Sequence, residues 1–166
     1  MSNADQDTDT VTAYHEAGHA VVGYALGGEI ESIGLYAEAD EWLPERFGDC
    51  HVNWGRVDPS TNWQRQREIL TILAGPVAEG IYRGESMHPA LYPPWRHDWD
   101  FAIDRLDSVA SLERRKTILS MSLTILQRQL QEDACWAAVA AVADELLAHE
   151  YVDGEHLADT LTFWLG

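Results

Sequence analysis

Apolar residues recur at helical spacing along most of the chain, a pattern that predicts a mainly α-helical protein. A first helix is predicted from about Val11 to Leu26, with Asp9 or Thr10 as its N-cap. It should end at Gly27-Gly28, since glycine favours the left-handed conformation that closes many helices. Gly18, inside this helix, costs about 1 kcal/mol relative to alanine and leaves room for another backbone to approach closely.

Between residues 29 and 57 the pattern changes to alternation. Two short strands are predicted there, whose apolar residues are Ile30, Ile33 and Leu35 in the first and Cys50, Val52 and Trp54 in the second. The residues between them, 37–48, are acidic and turn-like. We therefore expect a small β hairpin, which serves either as a lid over the core or as a strand that pairs with an extended substrate.

The remainder of the chain returns to helical spacing. Thr61-Asn62-Trp63-Gln64 fits a capping box at the start of a helix, which Pro76 should kink or restart. A loop rich in proline and apolar residues follows Gly84, and a new helix is expected to start at residues 96–100. Further helices follow without an internal proline, and the last runs from about Gly154 to Leu165.

The first helix carries the sequence His15-Glu16-Ala17-Gly18-His19, an H-E-x-x-H motif typical of zinc peptidases. Positions four apart lie one above the other on a helix, so both imidazoles can reach one metal ion. Glu16 lies beside them, where its carboxylate can take a proton from an attacking water. The plain alternative is two surface histidines and a glutamate on an ordinary amphipathic helix.

A catalytic zinc needs three protein ligands and one open position, so a third ligand must come from elsewhere in the chain. The candidates are His51, His88, His97, Asp98, Asp100, His149 and His156. No histidine or glutamate follows His19 at the spacing of the metzincins, which disfavours that group. Spacing alone does not rank the others, and Asp98 has a simpler role open to it as a helix N-cap.

Composition limits the classes of function. The 166 residues are 46% apolar, which is enough for one domain with its own core, expected over residues 11–166 after a flexible acidic lead-in over residues 1–10. A formal charge of −17 argues against nucleic acid and anionic membrane surfaces as partners. The apolar stretches are too short for a membrane segment, and Cys50 and Cys135 are expected to be reduced thiols, so we expect a soluble cytoplasmic protein.

The chain resembles the peptidase domain of the FtsH-type ATP-dependent zinc metalloproteases. The segments that carry the resemblance are Thr12–Gly23, similar to the family's zinc helix; Leu73–Glu79, similar to its second helix; Asp98–Ala102, similar to the segment with its third ligand; and 143–147 with 152–154, similar to its closing helices. The resemblance implies a zincin-like helical peptidase fold with a small β ribbon. It also implies a Zn²⁺ cofactor held by His15, His19 and Asp98, with Glu16 as general base.

The chain departs from this family in several respects. It contains no Walker A sequence and begins almost at the zinc helix, so we expect a free-standing peptidase domain that cleaves unfolded or flexible polypeptides. A separate ATPase partner and a homo-oligomer both stay open. Pro76 replaces the second glycine of the family's Gly-Gly pair. Trp95 and Trp99 flank the proposed ligand and are expected to line an apolar specificity pocket, and His97 and Asp100 are the fallback ligands.

A second class of function also fits the sequence. The chain would then be a zinc-binding regulatory or protein-interaction domain that has lost catalysis. The intact Glu16 favours the peptidase, because a purely structural site needs no base beside its ligands. The missing ATPase module favours the alternative.

Overall fold

The computed structural model describes residues 3–36 and 48–166. Its helices and strands, in chain order, are α1 (Asn3–Ala25), β1 (Glu29–Gly34), β2 (Asp49–Asn53), α2 (Asn62–Arg83), α3 (Pro93–Arg105), α4 (Leu112–Leu130), α5 (Asp133–His149), β3 (Tyr151–Asp153) and α6 (Gly154–Leu165). A short 3-10 turn, Pro89–Leu91, precedes α3. The predicted mainly helical architecture with a small β element is confirmed. The predicted turn over 37–48 lies, except for Gly48, outside the described residues.

Helix α1 is longer than predicted at its N-terminal end. It begins at Asn3, so residues 3–10 belong to the helix and neither Asp9 nor Thr10 is its N-cap. The physical reason is that no glycine or proline interrupts the chain before Gly18. Instead of capping, the Asp9 carboxylate accepts a hydrogen bond of 2.9 Å from the Tyr36 hydroxyl, just beyond the end of β1. At the other end, Gly27 adopts the expected positive φ of 96°.

The three strands form one antiparallel sheet in the order β2-β1-β3. The predicted hairpin of β1 and β2 is confirmed, and a bulge between Ile30 and Ser32 shifts the register. Because the bulge adds one residue, Ile30 and Ile33 both face the core despite their odd spacing. Strand β3 was not predicted, since three residues with a single apolar Val152 give no alternation to detect.

Helices α1 and α2 make the most extensive contact in the structure, and Gly18 explains how close they come. A Cβ atom at Gly18 would lie 2.6 Å from the Ala74 carbonyl oxygen and 2.6 Å from the Ala78 Cβ. Helix α2 runs unbroken through Pro76, so the predicted restart is wrong. Pro76 offers no N–H to the Ile72 carbonyl, but the flanking turns are buried against the core and keep the helix continuous.

The start of α2 was predicted correctly, whereas the start of α3 was not. Thr61 caps α2 as expected, because its hydroxyl accepts a 3.2 Å hydrogen bond from the Gln64 N–H. The Gln64 side chain, however, is buried and accepts from Arg67 rather than closing a reciprocal box. Helix α3 starts at Pro93 instead of residues 96–100, since proline is well tolerated at the first helical positions. Asp98 therefore lies inside α3 and is not its N-cap.

The C-terminal helices follow the predicted pattern. Leu119, Leu126 and Leu130 form the buried face of α4, and α6 has the predicted bounds. None of the helices in the described part of the chain combines the length and the apolar character that a membrane span needs.

The contact between α1 and α2 gives a stability prediction. Replacing Gly18 with alanine should lower the free energy of unfolding by about 1–3 kcal/mol, because the added methyl group overpacks the interface. This holds although alanine gains about 1 kcal/mol of helix propensity. Urea unfolding measures the change. The control is Gly23→Ala in the same helix, whose Cβ would meet only side-chain atoms, at 3.2 Å or more. Gly18→Ala as stable as the original chain would contradict this packing.

Candidate metal centre

Two histidines of α1 and one aspartate of α3 converge on a single point. The Nε2 atom of His15 lies 2.8 Å from Asp98 Oδ2, and the Nε2 atom of His19 lies 3.4 Å from the same oxygen. Donor atoms bound to one tetrahedral zinc-like ion are separated by roughly 3.3 Å. The three donor atoms therefore lie close enough together to bind one metal ion, which would replace the hydrogen bond between His15 Nε2 and Asp98 Oδ2.

The remaining ring nitrogens are held from behind by α2. The His15 Nδ1–H donates to Glu79 Oε1 at 3.2 Å, and the His19 Nδ1–H donates to the Thr71 carbonyl oxygen at 2.7 Å. Such partners fix the tautomer and orientation of metal-binding imidazoles and keep Nε2 directed at the metal. Glu79 is fully buried and also pairs with Arg83 at 3.4 Å. The sequence analysis assigned Glu79 no role. A glutamate among the apolar residues of α2 could have indicated that this side chain has a buried partner.

A glycine of α2 makes the space in which the two imidazoles lie. A Cβ atom at Gly75 would stand 2.4 Å from His19 Nε2 and 2.7 Å from His15 Nε2. Any larger residue at this position would therefore push the metal-facing nitrogens away. The space left by Gly75 and the donor set of two imidazoles and a carboxylate both fit a divalent transition metal ion.

Glu16 lies in the same site but in a different position. One ligand atom each of His15, Glu16 and His19 lie within 4.8 Å of one another, so this group could hold a metal ion. Asp98 is the better third donor, because its oxygen reaches both Nε2 atoms at 3.4 Å or less. The Glu16 side chain is buried beside Gly48, where a Cβ would come within 2.8 Å of its carboxylate. With Asp98 as the third donor, the Glu16 carboxylate would lie beside the metal ligands and not among them.

In the metal-free site, burial and neighbouring charges determine which of the side chains His15, His19 and Asp98 carry a proton. Burial works against a charged His15, but its hydrogen bonds to Asp98 and Glu79 outweigh burial and raise its pKa to about 10. Burial also opposes a charge on His19, yet the Asp98 carboxylate raises the pKa of His19. Desolvation also works against the charged form of Asp98, whose side chain is 19% exposed, but the two imidazoles hold its pKa well below the usual value. Without metal, then, His15 carries a proton on Nε2 where the ion would bind.

The structure gives the other candidate ligands different surroundings. Asp100 is exposed and faces Arg96 at 3.9 Å. His88 accepts from the Ala90 N–H at the start of the 3-10 turn. His149 and His156 lie beside Glu145 of α5. The two remaining candidates are His51, exposed on β2, and His97, exposed on α3 at the rim of the site.

The site opens into a cleft of about 280 Å³. Its walls are Cys50 and Val52 from β2, with Trp54 just after that strand; Glu68, Thr71 and Ile72 from α2; and Pro94, His97 and Phe101 from α3. The prediction that Trp95 and Trp99 line an apolar pocket is wrong, since they are only 1% and 4% exposed. Because α3 starts at Pro93, these two residues share its buried face, while Asp98 and Phe101 face the cleft.

No protein-family model matches the chain, and no curated protein is significantly similar to it. What the site does must therefore be argued from its own geometry and chemistry.

The convergence on Asp98 predicts how metal affinity is distributed among neighbouring side chains. With Zn²⁺ as the probe, Asp98→Ala should weaken binding at least about 100-fold, because it removes a donor and not only an orienting group. His97→Ala and Asp100→Ala are the matched controls on the same helix and should change affinity little. Competition with a chromophoric chelator gives the three dissociation constants. A greater loss in either control than in Asp98→Ala would contradict the arrangement.

The raised pKa of His15 predicts a pH-dependent affinity. The metal ion needs the Nε2 lone pair, so binding must release the proton that His15 carries below about pH 10. Affinity should therefore rise with pH, by about tenfold per unit between pH 6 and 8 for one displaced proton. Zn²⁺ titrations at constant ionic strength measure this slope. Equal affinity at pH 6 and pH 8 would show that no proton is displaced.

Proposed function

We propose that this protein is a zinc-dependent metalloendopeptidase that cleaves unfolded or flexible polypeptides, like the peptidase domains of the FtsH-type proteases. The observation that carries the proposal is the convergence of two imidazoles and one carboxylate oxygen in an open cleft, with a second carboxylate beside them. A site built only for structure has no need of a cleft or of an additional acid.

Zinc is the metal that this donor set favours. Two imidazoles with one carboxylate are the ligands of many catalytic zinc sites, which keep a fourth position open. When bound, zinc would lower the pKa of a water to about 7 and polarise the peptide carbonyl. His15, His19 and Asp98 would hold the ion, and Glu79 with the Thr71 carbonyl would hold the two imidazoles in place.

Glu16 supplies the proton transfers in this proposal. Its carboxylate lies at the cleft next to both metal-binding histidines, and Gly48 leaves the space it occupies. There it takes a proton from the attacking water and passes it to the leaving nitrogen. No covalent bond between protein and substrate is needed.

The walls of the cleft suit an extended polypeptide. Strand β2 lies at the edge of the sheet in the described part of the chain, and two of its residues, Cys50 and Val52, line the cleft together with Trp54 just after the strand. A substrate segment can add to such an edge as a further strand, with its side chains alternating between cleft and solvent. Trp54 and Phe101 both contribute apolar surface to the walls of the cleft.

A strand-like substrate must first be free of its own tertiary structure. Flexible polypeptides meet this requirement directly, whereas a stable protein would have to be unfolded by a separate ATPase partner. The competing proposal is a zinc-binding regulatory domain without catalysis. It has the same metal site but gives Glu16 no part in a reaction. The two proposals therefore differ in what replacing Glu16 does.

Glu16→Gln separates binding from catalysis. The zinc-loaded protein should cleave a reduced, alkylated polypeptide, and Glu16→Gln should keep its zinc but lose at least about 100-fold in rate, since the amide cannot accept the proton. Glu31→Gln, an exposed glutamate on β1, is the matched control and should keep full activity. Peptide release and bound zinc are measured on the same samples.

Three outcomes would count against the peptidase. Undiminished cleavage by Glu16→Gln would end its role as base, and cleavage that persists with a chelator would point to a contaminating enzyme. If the zinc-loaded protein cleaves nothing, alone or with an added unfoldase, the regulatory alternative is favoured.

A further inference from the structure

A second cluster of metal-binding side chains lies outside the cleft, where α5 ends and α6 begins. Glu145 and His149 are one turn apart on α5, and His156 is in the first turn of α6. The short strand β3 joins the two helices, after a turn at Glu150 with a φ of 64°. The Asp153 carboxylate accepts a 2.9 Å hydrogen bond from the His156 N–H and so fixes the backbone at this residue.

The cluster repeats the arrangement of the first site. The His156 Nε2 contacts Glu145 Oε2, and the His149 Nε2 lies 3.9 Å from the same oxygen. The two rings are 5.8 Å apart at an angle of 61°, compared with 4.8 Å and 75° for His15 and His19. Two imidazoles on one tetrahedral ion have centroids roughly 5 Å apart. In both places, two Nε2 atoms face one carboxylate oxygen.

The surroundings of this cluster suit a metal ion from solution. The side chains of His149 and His156 are 56% and 46% exposed, so water can complete the coordination. The Thr160 hydroxyl donates to the other Glu145 oxygen at 3.4 Å and helps orient the carboxylate. Within the cluster, His149 Nε2 lies farther from the shared Glu145 oxygen than His156 Nε2 does, at 3.9 Å. A rotation of the exposed His149 ring must therefore close the second cluster.

We propose that Glu145, His149 and His156 form a second metal site, which binds Zn²⁺ independently of the cleft. The donor set is again two imidazoles and a carboxylate, the ligands that zinc accepts most readily alongside thiolates. An ion held there links the last turn of α5 to the first turn of α6. It stabilises the folded C-terminal part of the chain, because the unfolded chain does not hold the three donors together.

The test counts zinc equivalents in the full chain. Zn²⁺ titrated into the metal-free protein should show two equivalents by calorimetry and native mass spectrometry. The double variant His149→Ala/His156→Ala should bind one, as should His15→Ala/His19→Ala, and the variant with all four changes should bind none. Glu145→Gln, which keeps the size of the side chain, should weaken the second equivalent at least about 10-fold. Glu155→Gln is the control for non-specific acidity and should keep both.

A second readout does not depend on activity. In the His15→Ala/His19→Ala background, Zn²⁺ should raise the unfolding temperature, and the rise should vanish when His149 and His156 are also replaced. A single equivalent that is kept when His149 and His156 are replaced, or a second equivalent that survives their loss, would overturn the proposal. Neither result bears on peptidase activity, since the Glu16→Gln experiment measures the activity of the cleft site separately.

Discussion

The close approach of α1 and α2 is the contact on which the rest of the structure depends. Gly18 lets the α2 backbone come against α1, and Gly75 lets the imidazoles of α1 lie against α2. The two glycines act as a reciprocal pair, one from each helix. Only at this separation can Glu79 and the Thr71 carbonyl reach the Nδ1 atoms and direct both Nε2 atoms at a common point. A change that separates the helices would therefore affect stability and the metal site together.

The charge balance of the site fits a divalent ion. Glu16, Glu79 and Asp98 bring three carboxylates to two imidazoles in largely buried surroundings, and Arg83 divides its charge between Glu79 at 3.4 Å and Glu85 at 3.2 Å. Burying carboxylates without compensation is costly, and without metal the balance comes from protons on the histidines. An ion with two positive charges replaces those protons and satisfies the carboxylates directly. The electrostatics and the geometry therefore point to the same occupant.

The features that the sequence predicted correctly are those that depend on residues close together along the chain. His15, Glu16 and His19 belong to one helix turn, so their convergence follows from helical geometry, and the bounds of α6 follow from its glycine and apolar spacing. Asp98 was ambiguous, because its approach to α1 depends on how α3 docks, and only the family resemblance favoured it. Trp95 and Trp99 were misplaced because the start of α3 was misjudged by three residues. Strand β3 and the role of Glu79 depend on tertiary contacts that no local pattern records.

The most direct test of the account is a crystal structure of the zinc-loaded protein with anomalous scattering at the zinc edge. We expect an ion bound by His15 Nε2, His19 Nε2 and an Asp98 oxygen, at about 2.0–2.2 Å from each. Glu16 should lie beside the ion without binding it, and α1 and α2 should keep their present separation. An ion that binds Glu16 in place of Asp98, or an anomalous peak absent from the cleft, would contradict the central claim.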